Sequence, residues 1–288
     1  MPKSVLAKQP DGAIQLTITI PAEEVNQAYQ KALDKIVETA EIDGFRKGKA
    51  PKKIVEEKTD KSKVYEYVIQ DIVPQAYIEA VKEHNLKPII SPKVELLKAK
   101  EGEDWEIRAT TCEEPLVDLN DYKKKVREAL APMKLWTPDK KESSSQKNDE
   151  ESLDSRIQKV ISVILENVKV EIPQIIVEEE VNHSISSLIN QTNTMGLTID
   201  QYLSSIGKTA EMVREEYRQK ILENYKLQFA LDKIAEEEKV AVSDQEAEEL
   251  IKATGDENLK KEMENPLQKS YIKGIIARRK ALELLAKL

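Results

Sequence analysis

Apolar and polar residues alternate with period two in two short stretches of the first 114 residues. Between residues 14 and 20 every second residue is isoleucine or leucine, the pattern of a half-buried strand. The proline-glycine turn at 10–12 precedes it, which predicts a hairpin over 4–20. A second alternation, at 105–111, follows a turn at 101–104 and predicts further strands. These stretches favour a small antiparallel sheet.

Between the two strand-like stretches the period changes to that of a helix. Pro21 opens one amphipathic segment, and a second helical region runs from 51 to 85, where Pro74 is expected to bend or interrupt it. The predicted order is ββ–α–loop–α–βββ. It indicates a compact α+β domain over residues 1–114, with two helical segments and a loop between them.

The remainder divides into a connection and a helical region. Residues 115–152 are predicted to be a connection with a short helical piece and then a flexible linker, because the tract 137–152 has no apolar side chain to bury. Residues 153–288 carry helical stripes throughout and no fixed-period repeat. They predict an all-α domain with extended helical arms. Helix starts are marked by Thr198 with Gln201 and Ser243 with Glu246, and helix ends by Gly207 and Gly255.

The loop between the first two helical regions is basic, although the chain has a net charge of -8. Basic side chains in the first turn of a helix oppose its macrodipole, at a cost of about 0.3–1 kcal/mol each. The cluster therefore favours a binding partner. Phe45, one of two phenylalanines, lies among these cations. An alternative is that Phe45 packs on the core and the cations are a solvated face. The cations are Arg46, Lys47, Lys49, Lys52 and Lys53.

The pattern Gly-Phe-Arg-x-Gly-Lys-x-Pro in this loop resembles the ribosome-docking signature of the trigger factor family of bacterial chaperones. A second segment, 166–173, is similar to the start of the substrate-binding C-terminal domain of that family. The docking pattern is matched by Gly44, Phe45, Arg46, Gly48, Lys49 and Pro51, with Lys47 in the variable position.

The resemblance implies an ATP-independent chaperone that docks at the exit of the ribosomal tunnel. The partners it implies are a large-subunit protein, nearby ribosomal RNA, and nascent or unfolded polypeptides held in a cradle of the helical domain and the underside of 1–114. Family members also dimerise when free. They carry an FKBP-type prolyl isomerase domain between the two parts, but the interval 115–152 is too short for one. We therefore expect no isomerase activity.

No other chemistry is indicated. The nucleotide-binding and serine-hydrolase motifs do not occur, and two histidines with one cysteine do not make a usual zinc site. We expect no catalytic residue, cofactor or metal. The sequence has no signal-like segment or apolar run that would span a bilayer, which indicates a cytoplasmic protein. Two alternatives remain: a holdase that never meets the ribosome, and an RNA-binding module, which the acidic charge disfavours.

Overall fold

The computed structural model describes residues 3–42, 45–131, 145–254 and 266–288. The chain forms two compact units. Unit 1 comprises Met1–Glu114 and Pro173–Ile176, and unit 2 comprises Pro115–Ile172 and Val177–Leu288. Unit 1 combines a small antiparallel sheet with helices and unit 2 is largely helical, so the predicted fold class is confirmed.

Unit 1 has a four-stranded antiparallel sheet of order β1-β2-β4-β3. The alternation in the sequence places one side of β2 and β4 in the core. Cross-strand pairs such as Ile18 with Ile107 and Leu16 with Ala109 are fully buried there. Helices α1 and α3 cover this face. The elements are β1 (Lys3–Lys8), β2 (Ala13–Ile20), α1 (Ala22–Thr39), α2 (Lys52–Lys58), α3 (Lys61–Glu83), β3 (Lys93–Lys98) and β4 (Trp105–Cys112).

The second helical region of unit 1 differs from the expectation. The helix does not break at Pro74; α3 runs through this residue, and the break lies earlier, at Thr59 and Asp60. Asp60 caps α3 by accepting a hydrogen bond from the Ser62 N–H at 2.9 Å. Pro74 and Gln70 are both exposed, so the Gln70 carbonyl that Pro74 leaves without an N–H partner lies on the solvent side of the helix. The sequence predicted three strands after the helices. Among the described residues, only β3 and β4 follow the helices in this sheet.

Unit 2 packs its helices around one main core and two smaller clusters. It also contains a two-stranded ladder of β5 and β6, so the region after 153 is not wholly helical. The elements are β5 (Val117–Asp118), α4 (Tyr122–Leu130), α5 (Ser145–Asn167), β6 (Lys169–Val170), α6 (Gln174–Thr194), α7 (Ile199–Ser205), α8 (Ala210–Glu237), α9 (Asp244–Thr254) and α10 (Pro266–Ala286).

The segment predicted as a connection and linker contributes to this core. Tyr122, Val126 and Leu130 lie on one face of α4 and are buried against α5, α8 and α10. Burial of each such side chain contributes about 1.5–3 kcal/mol. Helix α5 begins at Ser145, inside the predicted linker. The rest of that prediction, residues 132–144, lies outside the described residues.

The capping signals are confirmed where they can be seen. Thr198 and Gln201 form a reciprocal capping box at the start of α7. Ser243 accepts from the Glu246 N–H at 3.3 Å, and the Glu246 carboxylate accepts from the Ser243 N–H at 2.9 Å. Gly207 follows α7 with φ +64°, as a helix end requires. Gly255 lies outside the described residues.

Candidate functional site

The basic loop of unit 1 is fixed at its base by Gly48. The Gly48 N–H donates to the carbonyl of Ala40, just past the end of α1, at 3.1 Å. Its φ is +73°, and a Cβ here would lie 2.7 Å from the Glu38 carbonyl oxygen. Any larger residue would therefore need both an unfavourable backbone conformation and a displaced helix end. We call residues 45–50 the docking loop, after the family signature that this segment resembles.

Main-chain hydrogen bonds shape the rest of the docking loop. The Lys49 N–H donates to the Arg46 carbonyl at 2.9 Å, closing a tight turn with Gly48 in the position where a positive φ is needed. The Phe45 N–H donates to the Ile42 carbonyl at 3.0 Å. Ala50 is buried at the far end of the loop. The loop is therefore anchored at both ends, with its side chains directed outward between them.

Phe45 is the apolar centre of the docking loop. Phe45 is 41% exposed. The alternative considered above, in which Phe45 packs on the core, is therefore not what the structure has. A phenylalanine left half in water has apolar area that a partner could cover. The cations Arg46, Lys47 and Lys49 on the same loop are all exposed.

The cations of the loop differ in their partners. Lys47 Nζ lies 2.9 Å from Glu41 Oε1, and the hydrogen bond from Lys47 lowers the pKa of Glu41 below its ordinary value. Lys52 Nζ lies 2.6 Å from Asp34 Oδ1 on α1. Within the described residues, Arg46 and Lys49 make no ion pair. Arg46 and Lys49 are therefore the cations of residues 45–50 with the most charge to offer a partner. Lys53 of α2 is also exposed and makes no ion pair within the described residues.

The predicted site residues are placed as follows. The docking loop brings together five of them, and Gly44 lies outside the described residues. The five are Phe45, Arg46, Lys47, Gly48 and Lys49. Pro51 comes just before α2 instead of within its first turn, and its carbonyl accepts from the Val55 N–H at 3.2 Å.

Sequence reasoning missed the two carboxylates that pair with loop cations. Glu41 precedes the motif by only three residues, so its position was a usable signal. Asp34 lies seven residues before Glu41, inside α1, and only the packing of α2 against α1 brings it to Lys52.

In unit 2, the segment 195–212 around α7 carries exposed apolar side chains. We call this segment the apolar corner. Met195 is 69% exposed and Met212 is 51% exposed, the highest values of the set. Methionine side chains are flexible and polarizable, so they adapt to differently shaped apolar partners. The set is completed by Leu197 and Ile206.

The apolar corner is held by glycines, caps and ion pairs. Gly196 and Gly207 both have positive φ and turn the chain before and after α7. Below the corner, Glu178 of α6 accepts from Arg214 of α8 at 2.7 Å and also from Arg218. These two hydrogen bonds lower the pKa of Glu178 below its ordinary value. The corner is therefore a turn between helices, supported by ion pairs from Glu178, with an exposed apolar surface.

Two other kinds of site are absent from the part of the chain that the structure describes. No group of histidine, cysteine or carboxylate side chains there is arranged to hold a metal ion. No helix among those residues is long and apolar enough to cross a bilayer.

Two family models match the chain. One, described as bacterial trigger factor protein (TF), matches residues 3–134, and the other, described as the C-terminus of bacterial trigger factor protein (TF), matches residues 137–287. Trigger factor from Staphylococcus aureus strain JH9 is 41% identical over 108 residues, 38% of this chain and 25% of that protein. The protein from strain Newman gives the same values. The aligned part thus spans about a quarter of the length of these curated relatives.

A solved structure has the same overall fold. It is described as "Promiscuous Substrate Recognition in Folding and Assembly Activities of the Trigger Factor Chaperone". The superposition has a TM-score of 0.67 and covers 99% of each chain, with 18% sequence identity. At 18% sequence identity, this likeness shows a shared fold and nothing further.

Proposed function

Because the chain belongs to the trigger factor family, we propose that it is an ATP-independent chaperone that docks on the ribosome and shields nascent or unfolded chains from aggregation. The docking loop binds the ribosome, and apolar surface of the helical unit binds the client. With no nucleotide-binding motif in the sequence, clients leave through weak affinity and through their own folding.

The single observation that carries this proposal is the exposed Phe45 among exposed cations, of which Arg46 and Lys49 make no ion pair within the described residues. Phe45 acts as an apolar anchor at the centre of the contact. Arg46 and Lys49 pair with RNA phosphates and acidic protein groups beside the tunnel exit. Lys47 contributes less, because Glu41 already neutralises part of its charge. The partner is the large ribosomal subunit at the polypeptide exit.

The client-binding part of the proposal rests on the apolar corner. Four exposed apolar side chains on flexible or aliphatic residues favour weak, sequence-tolerant contacts with unfolded chains. As the client folds, it buries its own apolar segments, which then no longer contact the corner. This exchange lowers aggregation without any chemical step.

We further propose a functional division into a ribosome-binding domain over 1–114 and a chaperone domain that includes 153–288. Residues 115–131 belong structurally with the latter, since α4 packs in its core. The two family matches meet around residues 135–136, so the proposal includes no prolyl isomerase activity. It implies a cytoplasmic location, where ribosomes are, and a dimer when the protein is free.

The test is co-sedimentation with empty ribosomes at moderate salt. The wild type is expected in the ribosome pellet, and Phe45→Ala/Arg46→Ala/Lys49→Ala in the supernatant. A matched control is Lys123→Ala/Lys124→Ala/Arg127→Ala, which removes three exposed cations from α4. It is expected to sediment like the wild type. Both variants should still suppress aggregation of a denatured client. A wild type that stays in the supernatant contradicts the docking proposal.

A second candidate function is a holdase that works without the ribosome. The apolar corner favours this second function, because the helices and caps that form the corner include no residue of the docking loop. In that case the triple loop variant and the wild type would both stay in the supernatant and would protect clients equally.

A further inference from the structure

Helix α2, which follows the docking loop, has few local features that stabilise its first turn. It comprises Lys52–Lys58, and a helix of only seven residues is unstable by itself in water. Pro51 at its N-cap makes no side-chain hydrogen bond, and the first turn has no acidic residue. The two lysines of that turn, Lys52 and Lys53, oppose the helix macrodipole. Contacts with the rest of unit 1 must therefore fix the start of α2, and with it the far end of the docking loop.

Lys52 makes such contacts with helix α1. Its Nζ lies 2.6 Å from Asp34 Oδ1 and donates a hydrogen bond to the Gln30 carbonyl at 3.2 Å. Gln30 and Asp34 are four residues apart, so the ammonium group bridges two neighbouring groups of one helix. Val55, one turn further along α2, is fully buried. We call the contacts of Lys52 with Asp34 and Gln30 the α1–α2 clamp.

The clamp and Gly48 attach the two ends of the docking loop to the same helix. The Gly48 N–H donates to the Ala40 carbonyl, just past the end of α1, at 3.1 Å. Four residues later, Lys52 holds the start of α2 on Asp34. Lys49, a proposed ribosome contact, lies between the two attachment points. A loop that is fixed at both ends loses less conformational freedom when it binds, which increases affinity.

The neighbouring Lys53 differs from Lys52 in its surroundings. Lys53 is exposed and makes no ion pair within the described residues. The side chain of Lys52 is 36% exposed, and its ammonium group is held by α1. In the sequence the two lysines belong to one basic cluster. In the structure, the charge of Lys52 is used inside unit 1.

We propose that Lys52 is a positioning residue of the docking loop, which acts through Asp34 and Gln30 and does not contact the ribosome. This inference rests on the proposed docking function and names residues that prepare its site. It also reverses the electrostatic expectation for Asp34. A carboxylate beside a surface that binds RNA repels the phosphates, so its removal should raise affinity. As part of the clamp, Asp34 strengthens binding instead.

The first test is ribosome sedimentation of single variants at several salt concentrations. Asp34→Asn and Lys52→Met should each weaken binding by about 2–5-fold, the range of exposed ion pairs. Lys52→Met should leave the slope of log affinity against log salt unchanged, whereas loss of a phosphate contact would reduce it by about 0.7–0.9.

A charge exchange separates positioning from direct contact. Asp34→Lys/Lys52→Asp restores the ion pair with its signs reversed, and a carboxylate suits the first turn of α2. We expect this double variant to bind within about twofold of the wild type. If Lys52 contacted phosphate, the double variant would bind more weakly than Lys52→Met, because its new carboxylate would face the RNA.

The control is Asp60→Ala, which also removes a carboxylate from unit 1. It destabilises α3, because Asp60 accepts a hydrogen bond from the Ser62 N–H at 2.9 Å. It does not touch the clamp. We expect it to sediment like the wild type, so neither lost negative charge nor modest destabilisation would explain weaker docking of the clamp variants.

Hydrogen exchange of the free protein tests the clamp without ribosomes. The Gly48 and Lys49 amides are hydrogen-bonded within the loop and to the end of α1. They should exchange about 2–5-fold faster in Lys52→Met, because the loop opens more often. Lys53→Met removes the same charge from the same turn and should leave their exchange unchanged.

Three results would overturn the inference: higher affinity in Asp34→Asn, a charge exchange that binds more weakly than Lys52→Met, or unchanged loop exchange in Lys52→Met. Failure of the docking function is distinguishable from these results. If the wild type stays in the supernatant while loop exchange depends on the clamp, the docking function fails and the clamp stands. If the wild type sediments and the clamp variants dock and exchange as it does, only the clamp inference fails.

Discussion

The docking loop and the apolar corner expose apolar side chains in opposite ways. The loop has a single aromatic residue, Phe45, among cations, and its backbone is fixed by Gly48 against the end of α1. The corner spreads four smaller apolar side chains around a short helix, and two of them are methionines. One surface is focused and rigid, and the other is distributed and adaptable.

This difference corresponds to two kinds of recognition. A focused contact concentrates binding free energy in few residues, so single substitutions there are costly. A distributed apolar surface made of flexible side chains accepts many partners, and each residue contributes little. The following experiments test that contrast, from the largest expected effect to the smallest.

The largest effect is expected at Phe45. Phe45→Ala should weaken ribosome binding by about 30-fold, which corresponds to the roughly 2 kcal/mol of an interface hot spot. Tyr67→Ala is the matched control, because Tyr67 is another exposed aromatic residue of unit 1, at 48% exposure compared with 41% for Phe45. Titration of ribosomes by sedimentation measures both. Equal losses in the two variants would show that Phe45 has no special place in the contact.

Gly48→Ala should weaken ribosome binding by about tenfold without removing any side chain of the loop. The positive φ costs about 1–2 kcal/mol for alanine, and the new Cβ meets the Glu38 carbonyl oxygen at 2.7 Å. Gly102→Ala shares the positive φ, at +77°, but its Cβ would meet nothing within 4 Å. It should leave docking unchanged. If Gly48→Ala also docks normally, the loop does not need its fixed backbone.

Removal of single cations should have smaller effects that depend on their partners. Lys49→Ala should weaken binding a few-fold and reduce the slope of log affinity against log salt by about 0.7–0.9, as one lost phosphate contact does. Lys47→Ala should change the slope less, because Glu41 already holds that ammonium group. Glu41→Gln should release Lys47 and raise affinity slightly. Binding isotherms at several salt concentrations measure all three, and equal slopes for the two lysine variants would contradict the assignment.

Single substitutions in the apolar corner should have the smallest effects. Met212→Ser is expected to change the affinity for a denatured client by less than about twofold, since one adaptable side chain carries little of a distributed contact. Changing all four exposed residues of the corner to serine should reduce the affinity for the client by about tenfold. Light-scattering assays of client aggregation measure both. A single variant that abolished protection would make the corner a focused site.

The features that sequence predicted correctly depend on local patterns. Alternating Ile and Leu placed β2, and the pairs Thr198–Gln201 and Ser243–Glu246 placed two helix starts, because caps and strand faces need only neighbouring residues. The motif at 44–51 is also contiguous, and its role in docking stays a prediction. Its fixed base at Gly48 follows from the glycine itself.

The features that sequence did not predict depend on tertiary packing. Tyr122, Val126 and Leu130 show a helical stripe, but no local signal says that α5, α8 and α10 cover it. The pairing of Lys52 with Asp34 likewise needs α2 to lie against α1. The exposure of Val94 and Leu96 on edge strand β3 also has no local signal, although their partners Ala109 and Ile107 are buried. Of the two expectations for Pro74, an interruption of the helix does not occur, and Pro74 and Gln70 both lie on an exposed side of α3.

Helix α7 has only seven residues, and a helix this short is unstable by itself in water. Its order depends on the Thr198 cap, the buried Leu203 and the glycine turns on either side. Local opening of α7 should therefore require much less free energy than opening of α8, which has 28 residues. In hydrogen exchange, the α7 amides should exchange first in unit 2. A surface that unwinds at small cost can reshape itself around each client that it meets.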